Sequence, residues 1–231
     1  MSNPMKVFKK ADKIKLTGDE YLEHLQRIDD FQVELDVVKY NPKLFEGYDR
    51  IVVLGPQRSG TTFTAQAISN TLGKDWHFID EGGFASKNTK TFRGLWKRDH
   101  HVFQAPGLTH LIHEYAGKND LVVFMVRRWS DILRSVKRIS KAGPTTWTLM
   151  DTVYDMNKYH YRFVGEEFYD KHVDRNSYFL DVIYKMWKHY QTKLIPNYIN
   201  LDYESMCKHP KWIDKLDRQN FSSKQTKKKK K

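Results

Sequence analysis

The residues whose types and spacing could do chemistry begin at Gly55-Pro56-Gln57-Arg58-Ser59-Gly60-Thr61-Thr62, two glycines five apart followed by hydroxyl residues. Backbone N–H groups in such a glycine loop, followed by a helix N-terminus, form an anion site suited to phosphate. The hydroxyls of Thr61 and Thr62 add donors, and Arg58 adds a permanent, forked cation. A nucleotide-hydrolysing P-loop carries lysine directly after its second glycine, and here that position is Thr61. The loop is therefore built for an anion but lacks the group that neutralises β- and γ-phosphates.

A second basic constellation follows the most apolar run of the chain. Leu121-Val122-Val123-Phe124-Met125-Val126 leads into Arg127-Arg128-Trp129-Ser130-Asp131, with Ser135 eight residues after Arg127. An arginine leaving a strand end and a serine on the following helix can converge on one phosphate.

For proton transfer, the candidates are the carboxylates of "Ile79-Asp80-Glu81-Gly82-Gly83" and the pair His100-His101. Glu81 is the first choice and Asp80 the second, because they follow a short apolar strand and so stand at the carboxyl edge of a parallel sheet, with a turn cap as the plain alternative. His101 is a lesser candidate, since a position at the start of its strand is the wrong edge. His110 and His113 lie three apart without a third ligand at suitable spacing, so no metal site is expected.

Alternating elements must position these groups. Short β-rich runs at Ile51–Leu54, Trp76–Ile79, His101–Gln104, Leu121–Val126 and Tyr198–Leu201 read as strands, and the continuous apolarity of the fourth fits a parallel sheet covered on both faces. Helices are expected over about 18–38 from a capping box at Thr17–Glu20, over Thr61–Leu72 closed by Gly73, over Leu108–Tyr115, over Asp131–Ile139 with Ser130 as N-cap, and over Phe179–Leu194. The expected fold class is α/β: a three-layer sandwich around a central parallel sheet, P-loop NTPase-like, in one domain with a helical lid or acceptor insertion at 141–178. Residues 1–49 read as an N-terminal helical extension, 50–225 as the main domain and 226–231 as a lysine-rich tail.

The 231 residues are enough to bury one substantial core, and 39% hydrophobic with 14% aromatic content indicates a folded chain. The net charge is +12; without Lys227 to Lys231 it is +7 (12 − 5), so an anionic cofactor, an acidic acceptor or non-specifically held nucleic acid suits the balance. The lysine run itself reads as a solvated tail. The single cysteine, Cys207, allows no disulfide framework. With no apolar run of membrane-spanning length and no hydrophobic leader, a soluble, cytoplasmic protein without a membrane anchor is expected.

"Pro56-Gln57-Arg58-Ser59-Gly60-Thr61-Thr62-Phe63" resembles the 5′-phosphosulfate loop of the sulfotransferases that use 3′-phosphoadenosine 5′-phosphosulfate (PAPS), whose pattern is Pro-x-Lys/Arg-Ser-Gly-Thr-Thr followed by an aromatic. Many members place the proline directly before the basic residue, where this chain has Gln57. "Val126-Arg127-Arg128-Trp129-Ser130-Asp131…Ser135" is similar to their 3′-phosphate motif, a strand ending Val-Arg-Asp-Pro-x-Asp with a serine eight residues after the arginine. "Tyr198–Met206" followed by His209-Pro210 resembles their late strand and Tyr-Glu segment. The resemblance spans about residues 50 to 225. It implies that Arg58, Ser59, Gly60, Thr61 and Thr62 hold the phosphosulfate and 5′-phosphate, and that Arg127 and Ser135 hold the 3′-phosphate. Phe63 then stacks on adenine, or packs as a core aromatic on the helix's first turn. Arg218, Ser223 and Lys224 fall where members fold a loop over the cofactor.

The activity so implied is in-line transfer of a sulfuryl group to a hydroxyl or amine, with 3′,5′-ADP as product. It needs positive charge on the departing phosphate, from Arg58, and a base for the acceptor proton. Cytosolic members use a histidine before a proline, but ahead of Pro106 this chain has Gln104, which cannot serve; tyrosylprotein-type members use a glutamate after the second strand, matching Glu81. The acceptor could be a small molecule, a carbohydrate or a peptide. Two other readings stay open: a nucleotide or nucleoside kinase, and a non-catalytic basic protein that binds phosphate or nucleic acid.

Overall fold

The computed structural model describes residues 18–81, 89–142 and 175–210. Five strands, β1 (Arg50–Leu54), β2 (His77–Ile79), β3 (His101–Gln104), β4 (Asp120–Val126) and β5 (Tyr198–Asp202), form one sheet in the order β2-β3-β1-β4-β5. Every pairing is parallel, with Arg50 opposite both His101 and Asp120, and Val126 opposite Asp202. The chain leaves β1 toward β2 on one side and leaves β4 toward β5 on the other. The crevice at the carboxyl ends of β1 and β4 is therefore the point where the strand order reverses, the place where open parallel sheets take ligands.

Alternation along the strands sends side chains to two cores. Ile51, Val53, Val102, Leu121, Val123 and Met125 meet Ala65 and Ile68 of α2 (Thr61–Leu72) together with Phe45. On the other face Val52, Leu54, Phe103, Val122 and Phe124 pack against Leu25 of α1 (Gly18–Arg27), Phe92 of α3 (Thr89–Leu95), Ile132 and Leu133 of α4 (Trp129–Ala142), and Leu180 and Ile183 of α5 (Arg175–Met186). A sheet with helices on both faces is the three-layer α/β arrangement expected. The five strands lie within a residue of their expected positions, and α2 with Gly73 beyond its end lies where its pattern put it.

Four expectations change. The helix expected over 18–38 ends at Arg27, gives one 3₁₀ turn at Ile28–Phe31, and continues extended. The extended segment is drawn beside β5: Val38 N–H donates to Asn200 O at 2.8 Å, and Asp202 N–H donates to Val38 O at 3.0 Å. Val33, Val37 and Val38 suit that conformation, and the unpaired edge of β5 decides it. Leu108–Tyr115 forms only two 3₁₀ turns, Pro106–Leu108 and Ile112–Glu114, not a helix. Ser130 is not an N-cap, because α4 already begins at Trp129. The last long helix covers Arg175–Met186 among the described residues and passes into a π-helical turn, Trp187–Gln191, where Trp187 stacks on Phe124 with centroids 4.6 Å apart.

Packing continues across residue 49. Ile28 and Phe45 are fully buried, and the His24 and Ser177 side chains hydrogen-bond at 2.7 Å. Of the expected lid at 141–178, residues 143–174 lie outside the described residues. Arg218, Ser223, Lys224 and the lysine tail lie outside them as well. No helix among the described residues is long and apolar enough to cross a membrane.

Candidate anion site at the sheet's carboxyl edge

The glycine loop leaves β1 and turns into α2 under two steric constraints. Gly55 has φ 125°, and a Cβ there would stand 3.0 Å from the Met125 carbonyl of the neighbouring strand. Gly60 has φ 96°, and a Cβ there would stand 2.6 Å from the ring of Tyr203. Only glycine suits both positions. Arg58 is itself left-handed, at φ 71°, a conformation that costs a non-glycine residue about 1–2 kcal/mol and is found where function holds the backbone.

Ser59 closes the loop on itself: its N–H and its Oγ both donate to Pro56 O, at 3.1 and 2.6 Å. The buried Ser59 hydroxyl thus shapes the loop. As N-cap of α2, Gly60 has no side chain to cover the first turn, whose N–H groups lack intrahelical partners and carry the positive end of the helix dipole. Thr61 is buried and Thr62 exposed at that terminus. Phe63 is half-buried, edge-on to His209 at 6.0 Å and packed on the α2-side core, as a core aromatic would be.

The turn after β4 meets this loop. Arg58 Nε donates to the buried Ser135 Oγ at 3.2 Å, and Arg127 Nη1 donates to the Arg58 carbonyl at 2.7 Å. The Arg127 guanidinium also lies 4.0 Å from the ring centroid of Tyr203, at the end of β5, and that ring is the one packed against Gly60. Arg127 Nε is buried and has no hydrogen-bond partner among the described residues. Arg128 and Arg134, by contrast, both pair with Asp131 at 3.3 Å. Two cations, a hydroxyl and a helix terminus therefore converge on one crevice from segments about 70 residues apart. Burial raises the Tyr203 phenol above its ordinary value, with Arg127 opposing the shift, so the ring stays neutral beneath the guanidinium.

Glu81 stands at the same edge, after β2. Its Oε1 accepts from Gly107 N–H at 3.0 Å, and its own N–H donates to Gln104 Oε1 at 3.0 Å. Gln104 Nε2 reaches Thr61 Oγ1 at 3.4 Å. Gln104 is thus a bridge from the loop helix to Glu81. Burial raises the Glu81 carboxyl above the usual range, the Gly107 bond opposes that, and the Asp80 charge adds to it. Asp80 is exposed.

His101 is not brought to this site. It is the first residue of β3, opposite Arg50 and His77, about 10 Å of strand from Gln104. Its Nδ1–H donates to Asp99 O at 2.6 Å and its ring lies against Phe103 and His77, which suits a structural histidine at the amino edge. Among the described residues no group of three or more metal-ligating side chains occurs.

The sequence assigns no role to Tyr203, Tyr184 or Gln32, although all three touch Arg127. Tyr203 has a local signal in the Tyr-Glu segment; Tyr184 and Gln32 have none, because their partners lie far away in the chain. Comparison of the chain with protein-family models, with curated proteins and with solved structures finds no match.

Proposed function

We propose that the protein is a sulfotransferase that uses PAPS and moves its sulfuryl group in line to an acceptor hydroxyl or amine. The observation that carries this reading is the meeting of the two arginine motifs around one glycine loop: Arg58 on Ser135, and Arg127 on the Arg58 carbonyl. The donors fit a nucleotide with phosphates at both ends of its ribose. Among the described residues Arg127 Nε is a buried donor without an acceptor, an arrangement costing about 1–3 kcal/mol that an anion oxygen would relieve.

The nucleotide supplies an activated sulfuryl group with a phosphate as its leaving group. The first-turn N–H groups of α2, with Thr61 and Thr62, hold the 5′-phosphate in this reading, and Arg127 with Ser135 holds the 3′-phosphate. Arg58 offsets the negative charge that grows on the departing phosphate, where fixed donors act most strongly because they need no reorganisation. Glu81 takes the acceptor proton. Burial raises its pKa, which makes it a stronger base than an exposed carboxylate. The threonine at the position of a kinase lysine is then no defect, since Arg58 brings the charge from the other side of the loop.

Calorimetric titration with 3′,5′-ADP, 5′-AMP and ATP with magnesium tests the reading. Binding of 3′,5′-ADP in preference to 5′-AMP is expected, and Arg127→Ala is expected to shrink that preference by roughly 10- to 100-fold, as for a lost charge-assisted contact. Binding of ATP–magnesium with no response to 3′,5′-ADP would favour a kinase and end the sulfotransferase reading. A screen of acceptors with labelled PAPS then identifies the second substrate.

A further inference from the structure

We propose that Asp29 and Gln32, from the segment ahead of the sheet, are positioning residues for Arg127; this rests on the reading of Arg127 as the 3′-phosphate ligand. The turn Arg127–Ser130 is where the chain departs from the sulfotransferase pattern, with Arg128 and Trp129 in place of aspartate and proline. A proline in that turn would fix one φ and remove one N–H. This chain has neither constraint, and its turn must be held by something else.

The holding groups come from about a hundred residues upstream. Gln32 Oε1 accepts from Trp129 N–H at 3.2 Å, and Gln32 Nε2 donates to Arg127 O at 3.3 Å, so one amide spans the turn. Asp29 Oδ1 accepts from Ser130 N–H at 2.9 Å, and Asp29 Oδ2 accepts from Ser130 Oγ at 2.6 Å. A carboxylate at the first turn of α4 is also favoured by the helix dipole. From a third side the buried Tyr184 hydroxyl accepts from Arg127 N–H at 3.2 Å and donates to Arg127 O at 3.1 Å.

Arg127 is the first residue beyond β4, where the sheet ladder no longer holds the backbone. Its N–H and its carbonyl are instead fixed by side chains, the carbonyl from two directions. A peptide so held sends its side chain out in one direction, toward the Arg58 carbonyl and the Tyr203 ring. Released, it would let the guanidinium swing, and a shift of about 1 Å is enough to lose a forked contact. The segment 29–32 therefore replaces, by tertiary contact, the local rigidity that the aspartate and proline of the sulfotransferase pattern would provide.

The test uses the full chain and reads the ratio of the dissociation constants for 5′-AMP and 3′,5′-ADP. Gln32→Met removes both amide bonds, Gln32→Glu keeps the acceptor for Trp129 and loses the donor to Arg127, and Asp29→Ala removes the carboxylate. Each is expected to lower the ratio roughly tenfold while 5′-AMP affinity stays within about twofold. Asp29→Asn, which keeps an acceptor for Ser130 N–H, is expected to retain the wild-type ratio, and in an Arg127→Ala background Gln32→Met is expected to leave the ratio unmoved. Thermal melts verify that each variant is folded. A ratio that survives Gln32→Met, Gln32→Glu and Asp29→Ala but is lost in Arg127→Ala overturns the positioning role alone, as does an equal fall in both affinities. A wild-type protein without preference for 3′,5′-ADP overturns the functional reading and this proposal with it.

Discussion

Replacing Gly60 by alanine separates two physical effects at the centre of the site. The residue sits at φ 96° and ψ 14°, so any side chain there carries the left-handed penalty of about 1–2 kcal/mol. The new Cβ would also stand 2.6 Å from Cδ2 and Cε2 of Tyr203, closer than carbon atoms approach, and relief of such overpacking costs about 1–3 kcal/mol. Taking the middle of each range, the loss is roughly 3.5 kcal/mol, which in a domain of this size lowers Tm by about 7–14 °C. The two parts are separable by a double-mutant cycle measured by chemical denaturation. In a Tyr203→Ala background the clash is gone and only the backbone part, about 1.5 kcal/mol, remains. The expected coupling is therefore about 2 kcal/mol. If Gly60→Ala costs the same in both backgrounds, the ring contact contributes nothing and the account of why this position is glycine fails.

Glu81→Gln is expected to abolish sulfuryl transfer with 3′,5′-ADP affinity retained, and retained turnover would remove Glu81 from the mechanism. Because burial raises the Glu81 pKa, the acid limb of the activity profile is expected above the ordinary carboxylate range. In the window between the ordinary and the raised value, the folded protein keeps a proton that the unfolded chain releases, so stability falls as pH rises through it. Denaturation of wild type and Glu81→Gln across that window is expected to show this slope only in wild type. At the opposite edge of the sheet, buried Asp120 accepts from Arg50 Nε at 2.7 Å and from Gly117 N–H at 2.7 Å. Asp120→Ala is expected to cost about 3 kcal/mol of stability without changing nucleotide affinity; a loss below about 1 kcal/mol would contradict the burial argument.

What was legible in the sequence is what local chemistry decides. Ile51–Leu54 and Leu121–Val126 are apolar because both faces of a central parallel strand are covered, and that leaves a continuous run in any reading. Thr61–Leu72 is bounded by glycines whose backbone shapes end a helix wherever they occur. The loop's anion chemistry, the spacing of Arg127 and Ser135, and the place of Glu81 after a strand are likewise properties of short segments.

Where the reading failed, a distant partner outweighed a local preference. Helical spacing in residues 18–38 lost beyond Arg27 to the hydrogen bonds offered by the edge of β5. Ser130 reads as an N-cap by composition, but the cap function belongs to Asp29, 101 residues earlier, whose charge suits a helix N-terminus better than a hydroxyl does. Gln104 reads only as a residue that cannot be a base, and the fold uses its amide to link Glu81 with Thr61.

The sequence by itself thus determined the strands, the loop helix and the chemical types brought to the crevice, because backbone geometry and hydrophobic period are set over a few residues. Only the tertiary structure decided that Arg58 and Arg127 share one site, that His101 does not, and that Asp29, Gln32 and Tyr184 hold the second arginine in place. Those outcomes depend on strand order and on hydrogen bonds between segments far apart in the chain, and no local pattern encodes either.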